Sequence, residues 1–122
     1  MKFHLQTPAA NVIAAVGADW IRIGETEYRQ NLIVTPDAVQ LDWAPAGFAA
    51  LTEAAFAALL QHKPELVLLG TGATQKFPHP RLFQALTHAR VGVEVMNTRA
   101  ACRTFNILIA EDRRAVAALI LG

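Results

Sequence analysis

Seven residues in the second half of the chain have types and spacing that bear on chemistry: Gly70, Thr71, Gly72, Glu94, Thr98, Cys102 and Asn106. Gly70-Thr71-Gly72 follows the apolar run Leu66-Val67-Leu68-Leu69, so it falls just past the carboxyl end of an expected strand. Ligands of open α/β sheets bind at such ends. Two glycines let a backbone approach a ligand, and they equally suit a tight turn with φ > 0. No Gly-Lys-Ser/Thr follows, so this is not a phosphate loop, and it is not a dinucleotide fingerprint.

Glu94 is the only acid between Glu65 and Glu111, and it lies on another expected strand. A carboxyl inside an apolar sheet can serve as a general base with a raised pKa. It can also pair with a cation, and Arg99 and Arg103 are the candidates. Thr98, Cys102 and Asn106 are spaced four apart and share one face of an expected helix. A thiol early in a helix can be a nucleophile if a base stands by. The four histidines, His4, His62, His79 and His88, are scattered, and only His79 lies near the strand ends in sequence. The other reading of Cys102 is a buried structural cysteine. The chain has no serine, which removes serine-nucleophile mechanisms. No two pairs of His, Cys or carboxylate stand at ligand spacing, so neither a metal nor a cofactor is expected. These seven residues are therefore candidates for ligand binding, and no catalytic residue is assigned.

The elements that must position them come in two styles. The first third reads as short strands: Val12–Val16, Trp20–Ile23, a piece near Tyr28, Asn31–Val34 and Val39–Trp43. Gly17, Gly24-Glu25 and Pro36-Asp37 punctuate them. They are too close together for intervening helices, so they pair as hairpins and form an additional β layer. The rest alternates. Thr52 caps a helix reaching about His62, with Leu51 set to pack on Phe56. Leu66–Leu69 is a strand covered on both faces. Pro80 opens a helix with Leu82, Phe83 and Leu86 on one stripe. Val91–Val95 is a strand, and Asn97 or Thr98 caps a helix to about Ala110. Ala115–Leu121 closes the chain as a strand. Strand-helix-strand-helix-strand predicts an α/β fold with right-handed crossovers.

Composition sets the outer bounds. The chain has 122 residues, 53% hydrophobic and 17% charged, which suits one α/β domain over residues 1–122. It is too apolar to be disordered. The longest stretch without Asp, Glu, Lys or Arg, residues 3–18, is broken by His4, Gln6, Thr7, Pro8 and Asn11, so no direct membrane insertion is expected. The net charge of +1 argues against a nucleic-acid partner. The charge is uneven. Residues 1–65 carry four Lys/Arg against seven Asp/Glu, and residues 66–122 carry seven against three. One cysteine excludes an internal disulfide and suits a reducing compartment. The first residues lack a signal-peptide core or an Arg-rich leader, so a cytoplasmic location is expected.

Three segments carry a family resemblance. They are Tyr28 through Val34 with Trp43; Leu68-Leu69-Gly70-Thr71-Gly72; and Gly92-Val93-Glu94-Val95-Met96-Asn97-Thr98, continued by Ala101-Cys102-Arg103-Thr104-Phe105-Asn106 and Glu111-Asp112-Arg113-Arg114. Together they resemble the family of unknown biochemical activity that contains mitochondrial complex I assembly factor three and its bacterial and archaeal relatives. The resemblance implies a three-layer α/β fold with a central, mostly parallel mixed sheet, a last strand antiparallel to the others, and a small β layer on one side. It implies a protein partner, since the human relative acts with another assembly factor. Asp112 stands where many relatives have glycine. Two readings of function follow. The first is a non-catalytic binding or assembly-type protein. The second is a small-molecule site or enzyme at the crevice around Gly70-Thr71-Gly72 and Glu94.

Overall fold

A computed structural model gives the structure and describes residues 9–122. His4 and the leader reading of the first residues lie outside the described residues. Eight strands and three α-helices are described: β1 Ile13–Val16, β2 Ile21–Ile23, β3 Thr26–Tyr28, β4 Leu32–Val34, β5 Val39–Leu41, α1 Glu53–Ala57, β6 Leu66–Thr71, α2 Gln84–His88, β7 Gly92–Met96, α3 Thr98–Ala110 and β8 Ala115–Ile120.

The strands form two sheets. One has the order β1-β2-β3, and the other has the order β5-β4-β8-β6-β7. Alternation along each central strand sends side chains into two separate cores. Ala115, Ala117 and Leu119 of β8 join Leu32, Val34 and Leu68 on the face covered by α3 and the small sheet. Val116, Ala118 and Ile120 join Ile33, Val67 and Leu69 on the face covered by α1 and α2. The protein therefore has three layers, as the resemblance implied. All six residues of β8 are buried. Its alanines leave room for α3 to approach on one side, with Ala101, Cys102 and Phe105 pressed onto the sheet. On the other side Phe56 meets Trp43 and Phe83 edge-on, at 5.8 and 4.9 Å between ring centroids. Trp43 still satisfies its indole by donating to the Ala55 carbonyl at 3.0 Å.

Three expectations need correction. The last strand is antiparallel to β4 but parallel to β6. The crossover through α3 returns the chain to the end where β7 began, so β8 must run the same way as β6 and β7. The early hairpins do not all build the extra layer: β4 and β5 join the central sheet, and β1–β3 alone form the small one. The helix from Thr52 is α-helical only to Ala57 and tightens to a 3₁₀ turn from Ala58 to His62. Lys63 ends it in a left-handed conformation (φ 54°), just ahead of the buried Pro64. The segment at Pro80 likewise begins as a 3₁₀ turn before α2. Thr52 caps as expected, accepting from the Ala55 N–H at 3.2 Å.

The turn leading into β8 is held by charge. Asp112 has φ 60°, a left-handed conformation that glycine adopts most easily. Arg114 donates from Nε to the His62 carbonyl at 2.8 Å, and its guanidinium lies 3.4 Å from Asp37. Its backbone N–H donates to Glu65, which also pairs with Arg113 at 3.3 Å. The His62 ring sits 2.9 Å from Gln40 Oε1.

These contacts make the fold acid-sensitive. Bonds from Thr35 and Arg114 hold the Asp37 carboxyl below its ordinary value, and the Arg114 and Arg113 donors do the same for Glu65. Burial, with the Arg114 charge beside it, lowers His62. For all three groups the folded pKa is depressed. Their stabilising contribution is present above the unfolded pKa and is lost as pH falls through the folded one. Tm should fall in two limbs, one below the ordinary imidazole pKa of about 6.5 and one below the carboxylate pKa of about 4. In His62→Gln the first limb should flatten while the second persists. A melting series against pH checks this, and a Tm that rises on acidification through the first limb contradicts it.

Candidate functional site

The carboxyl ends of β6 and β7 do stop side by side. The strands are parallel, with Leu68 opposite Glu94 and Gly70 opposite Met96. The chain leaves β6 over one face of the sheet, through α2, and leaves β7 over the other, through α3. The ends therefore bracket a point where successive crossovers diverge, the usual position of a crevice in such sheets.

Thr98 is the centre of this region. Asn97 caps α3 by accepting from the Ala100 N–H at 2.8 Å, which places Thr98 at the first helical position. The Thr98 N–H donates to the Gly72 carbonyl at 2.9 Å. The Thr98 hydroxyl accepts from the Gly72 N–H at 2.8 Å and donates to the Ile120 carbonyl at 2.5 Å. One buried side chain thus ties the end of β6, the start of α3 and the end of β8.

The glycines answer to the same knot. A Cβ on Gly70 would stand 2.9 Å from the Thr98 hydroxyl and 3.0 Å from Thr98 Cα and a Leu119 methyl. Gly72 has φ 98°, and a Cβ there would stand 2.7 Å from the Gly122 carbonyl. The tight-turn reading therefore accounts for both positions. Thr71 between them is buried. Its hydroxyl donates to the Thr74 carbonyl at 2.7 Å and accepts from the Lys76 N–H at 3.0 Å.

The remaining candidates separate. Glu94 is exposed, because β7 is the outer strand of the sheet and α3 lies over β6 and β8. Neither Arg99 nor Arg103 pairs with it among the described ion pairs. Cys102 is only 2% exposed, and burial pushes its thiol up to about 12, with Arg99 opposing. It is a protonated core group at neutral pH, not a thiolate. Asn106 acts as a splint for β1, accepting from the Ile13 N–H at 2.8 Å and donating to the Ile13 carbonyl at 2.9 Å.

Two concavities touch this set. A cavity of about 150 Å³ lies at the start of α3, walled by the 16–18 turn, Gly72-Ala73, Asn97–Arg99 and Leu121-Gly122. It contains Gly72 and Thr98 from the candidate set, but not Glu94. A second groove, of about 220 Å³, runs between β1 and α3 past Cys102, Asn106, Arg99 and Arg103. A helix start attracts anions when its N–H groups are free. Here the Thr98, Ala100 and Ala101 N–H groups are already bonded to Gly72 and Asn97. The two walls that sequence reasoning missed are the chain's last residues and the β1–β2 turn. Gly17 was the available signal for the turn, since a Cβ there would overlap the Trp20 indole. Among the described residues no group of three or more His, Cys, Asp or Glu is placed to hold a metal, and no helix is long and apolar enough to cross a membrane.

With this geometry in hand, comparison with known proteins is informative. Residues 13–120 match the family described as protein of unknown function (DUF498/DUF598). NADH dehydrogenase (ubiquinone) 1 alpha subcomplex assembly factor 3 of Mus musculus is 36% identical over 90 residues, which is 72% of this chain and 48% of the relative. The Danio rerio protein of the same name is 44% identical over 62 residues, 51% of this chain and 36% of the relative. The chain spans about half or less of the length of these curated relatives. A solved structure from Bordetella parapertussis superposes with a TM-score of 0.86 at 34% identity, covering 95% of this chain and 99% of that one.

Two outcomes follow from the knot. Thr98→Val keeps the shape but strands the Gly72 N–H and the Ile120 carbonyl, at about 1–3 kcal/mol for each buried group left unpaired. Urea unfolding should therefore show a loss of about 2–6 kcal/mol. A loss under about 0.5 kcal/mol, the range of a neutral surface change, contradicts the role given to the hydroxyl. Cys102 should resist a thiol reagent in the native protein at mildly alkaline pH and react at once in denaturant. Rapid native labelling contradicts its assignment as a core group.

Proposed function

The chain belongs to the DUF498/DUF598 family of proteins of unknown function, and from that premise we propose that it is a non-catalytic, assembly-factor-like protein that works by binding another protein. The observation that carries this reading is how the polar candidates are used. Thr71, Thr98 and Asn106 spend their polar atoms on the protein's own backbone, and Cys102 is buried and protonated. What remains for function is the outside. Phe77 is 74% exposed on the loop after β6 and offers an aromatic contact for a partner. The naming of relatives as complex I assembly factors supports the same class of role. A net charge of +1 favours a protein partner over a nucleic acid. A single buried cysteine suits a reducing compartment such as the cytoplasm. The folding unit proposed is residues 1–122 as one α/β domain.

Benzophenone placed at position 77, and separately at Ile107 on the exposed side of α3, should capture one and the same stoichiometric partner in the native cell. Repeated recovery of the chain alone from both positions overturns the binding reading.

One observation favours the second reading, a small-molecule site: the cavity beside Gly72 and Thr98 at the start of α3. Gly70, Thr71, Glu94, Cys102 and Asn106 do not line it. A thermal-shift screen against metabolites separates the two. The binding-protein reading expects no stabilising metabolite and no effect of Glu94→Gln, and a saturable shift abolished by Ala73→Trp would favour the cavity.

A further inference from the structure

β7 is the outer strand of the central sheet, and its free edge is only partly covered. It pairs with β6 alone. The Met96 carbonyl faces β6, within 3.3 Å of the Thr71 hydroxyl. The Val95 carbonyl is met from elsewhere, by the Gln75 side chain at 2.8 Å. Successive residues of a strand turn their backbone groups to opposite sides, so Val95 and Val93 face outward together. Gln75 therefore covers the edge at Val95 and leaves the Val93 N–H and carbonyl for another chain. The space at Gly92 is open as well, since a Cβ there would meet nothing within 4 Å.

Beside this edge runs a groove of about 370 Å³ lined by Phe83, Thr87, Arg90, Val91, Gly92 and Val93. Its floor belongs to the apolar face shared with α1 and α2. Arg90 stands at its rim. From Leu66 to Ala110 the chain carries Lys76, Arg81, Arg90, Arg99 and Arg103 against Glu94 alone. Glu94 is registered with Leu68, so it points to the opposite, α3-covered face and does not enter the groove.

We propose that the β7 edge accepts an extended acidic segment of a partner protein as a sixth strand of the sheet, with its apolar side chains in the groove and its carboxylates near Arg90. A free edge supplies main-chain affinity, and the groove supplies selection at alternate side chains. Among the described residues Arg90 is the one charged side chain lining the groove, and with Glu94 facing away it selects the sign of the segment. This inference rests on the protein-binding reading and names the surface that would serve it.

The test uses the full chain and three short synthetic peptides. One alternates valine and glutamate, one alternates valine and lysine, and one is the valine–glutamate peptide interrupted by two central prolines. Amide shifts and hydrogen exchange are followed by NMR. The acidic peptide should give saturable shifts centred on residues 92–96 and slow the exchange of the Val93 amide. The lysine and proline versions should bind about tenfold more weakly or worse. Arg90→Glu should weaken the acidic peptide about tenfold and favour the lysine one, without changing the melting temperature much. No shift at β7, equal binding of the lysine peptide, or equal binding of the proline peptide overturns the proposal. So does a concentration-dependent dimer in light scattering with Val93 protected, because the edge would then belong to a second copy. If the peptides fail while benzophenone at positions 77 and 107 still captures a partner, only the edge assignment falls.

Discussion

The arrangement of this protein depends on one hydroxyl. Thr98 sits where β6 ends, α3 begins and β8 finishes, and its oxygen takes a proton from one strand end while giving its own to another. Both groups it satisfies are backbone groups sealed from water, so neither has another partner at hand. For the hydroxyl to reach them, α3 must enter very close to the sheet. That closeness is what Gly70 permits and what the alanines of β8 accommodate beneath Ala101 and Phe105. A larger residue at any of these points would lift the helix and break the bond at its first turn.

The knot also decides what chemistry the strand ends can offer. Such ends in α/β sheets are a common place for ligands because helix starts and glycine turns leave N–H groups free. Here the Thr98, Ala100 and Ala101 donors are turned inward, to Gly72 and Asn97, and the hydroxyls of Thr71 and Thr98 are occupied. Asn106 does comparable service for β1, pinning the small sheet to α3 through both atoms of its carboxamide. Thr71, Thr98 and Asn106 read as parts of a frame. A binding role then falls to the surface: the loop carrying Phe77, the outer edge of β7 and the groove alongside it.

Much of the architecture was legible from the sequence because burial writes itself into periodicity. The continuous apolar run at Leu66–Leu69 and the Ala-Leu-Ile strand at the end announced central strands, and Asn97-Thr98 announced the start of α3, with Asn97 the residue that caps it. The direction of β8 relative to each neighbour was not legible locally. It depends on where the early strands attach, and short hairpins such as β1–β2 and β4–β5 look alike in sequence while joining different sheets. The candidate site was half legible. The order of the elements put Gly72 and Thr98 at one end of the sheet, where two hydrogen bonds join the loop to the helix start. It could not show that Glu94 would face solvent, since that follows from β7 being the last strand in the order, nor that Leu121 and Gly122 would wall the cavity from the far end of the chain.

The central claim, that the glycine-flanked strand end is fastened from within by Thr98, is tested most directly by native-state hydrogen exchange at the Gly72 amide. If the account is right, that amide exchanges as slowly as those of β6 and β8 and opens only with global unfolding. Exchange at the rate of the neighbouring exposed loop, at Ala73 through Phe77, would mean that the turn opens on its own and that the hydroxyl does not hold it.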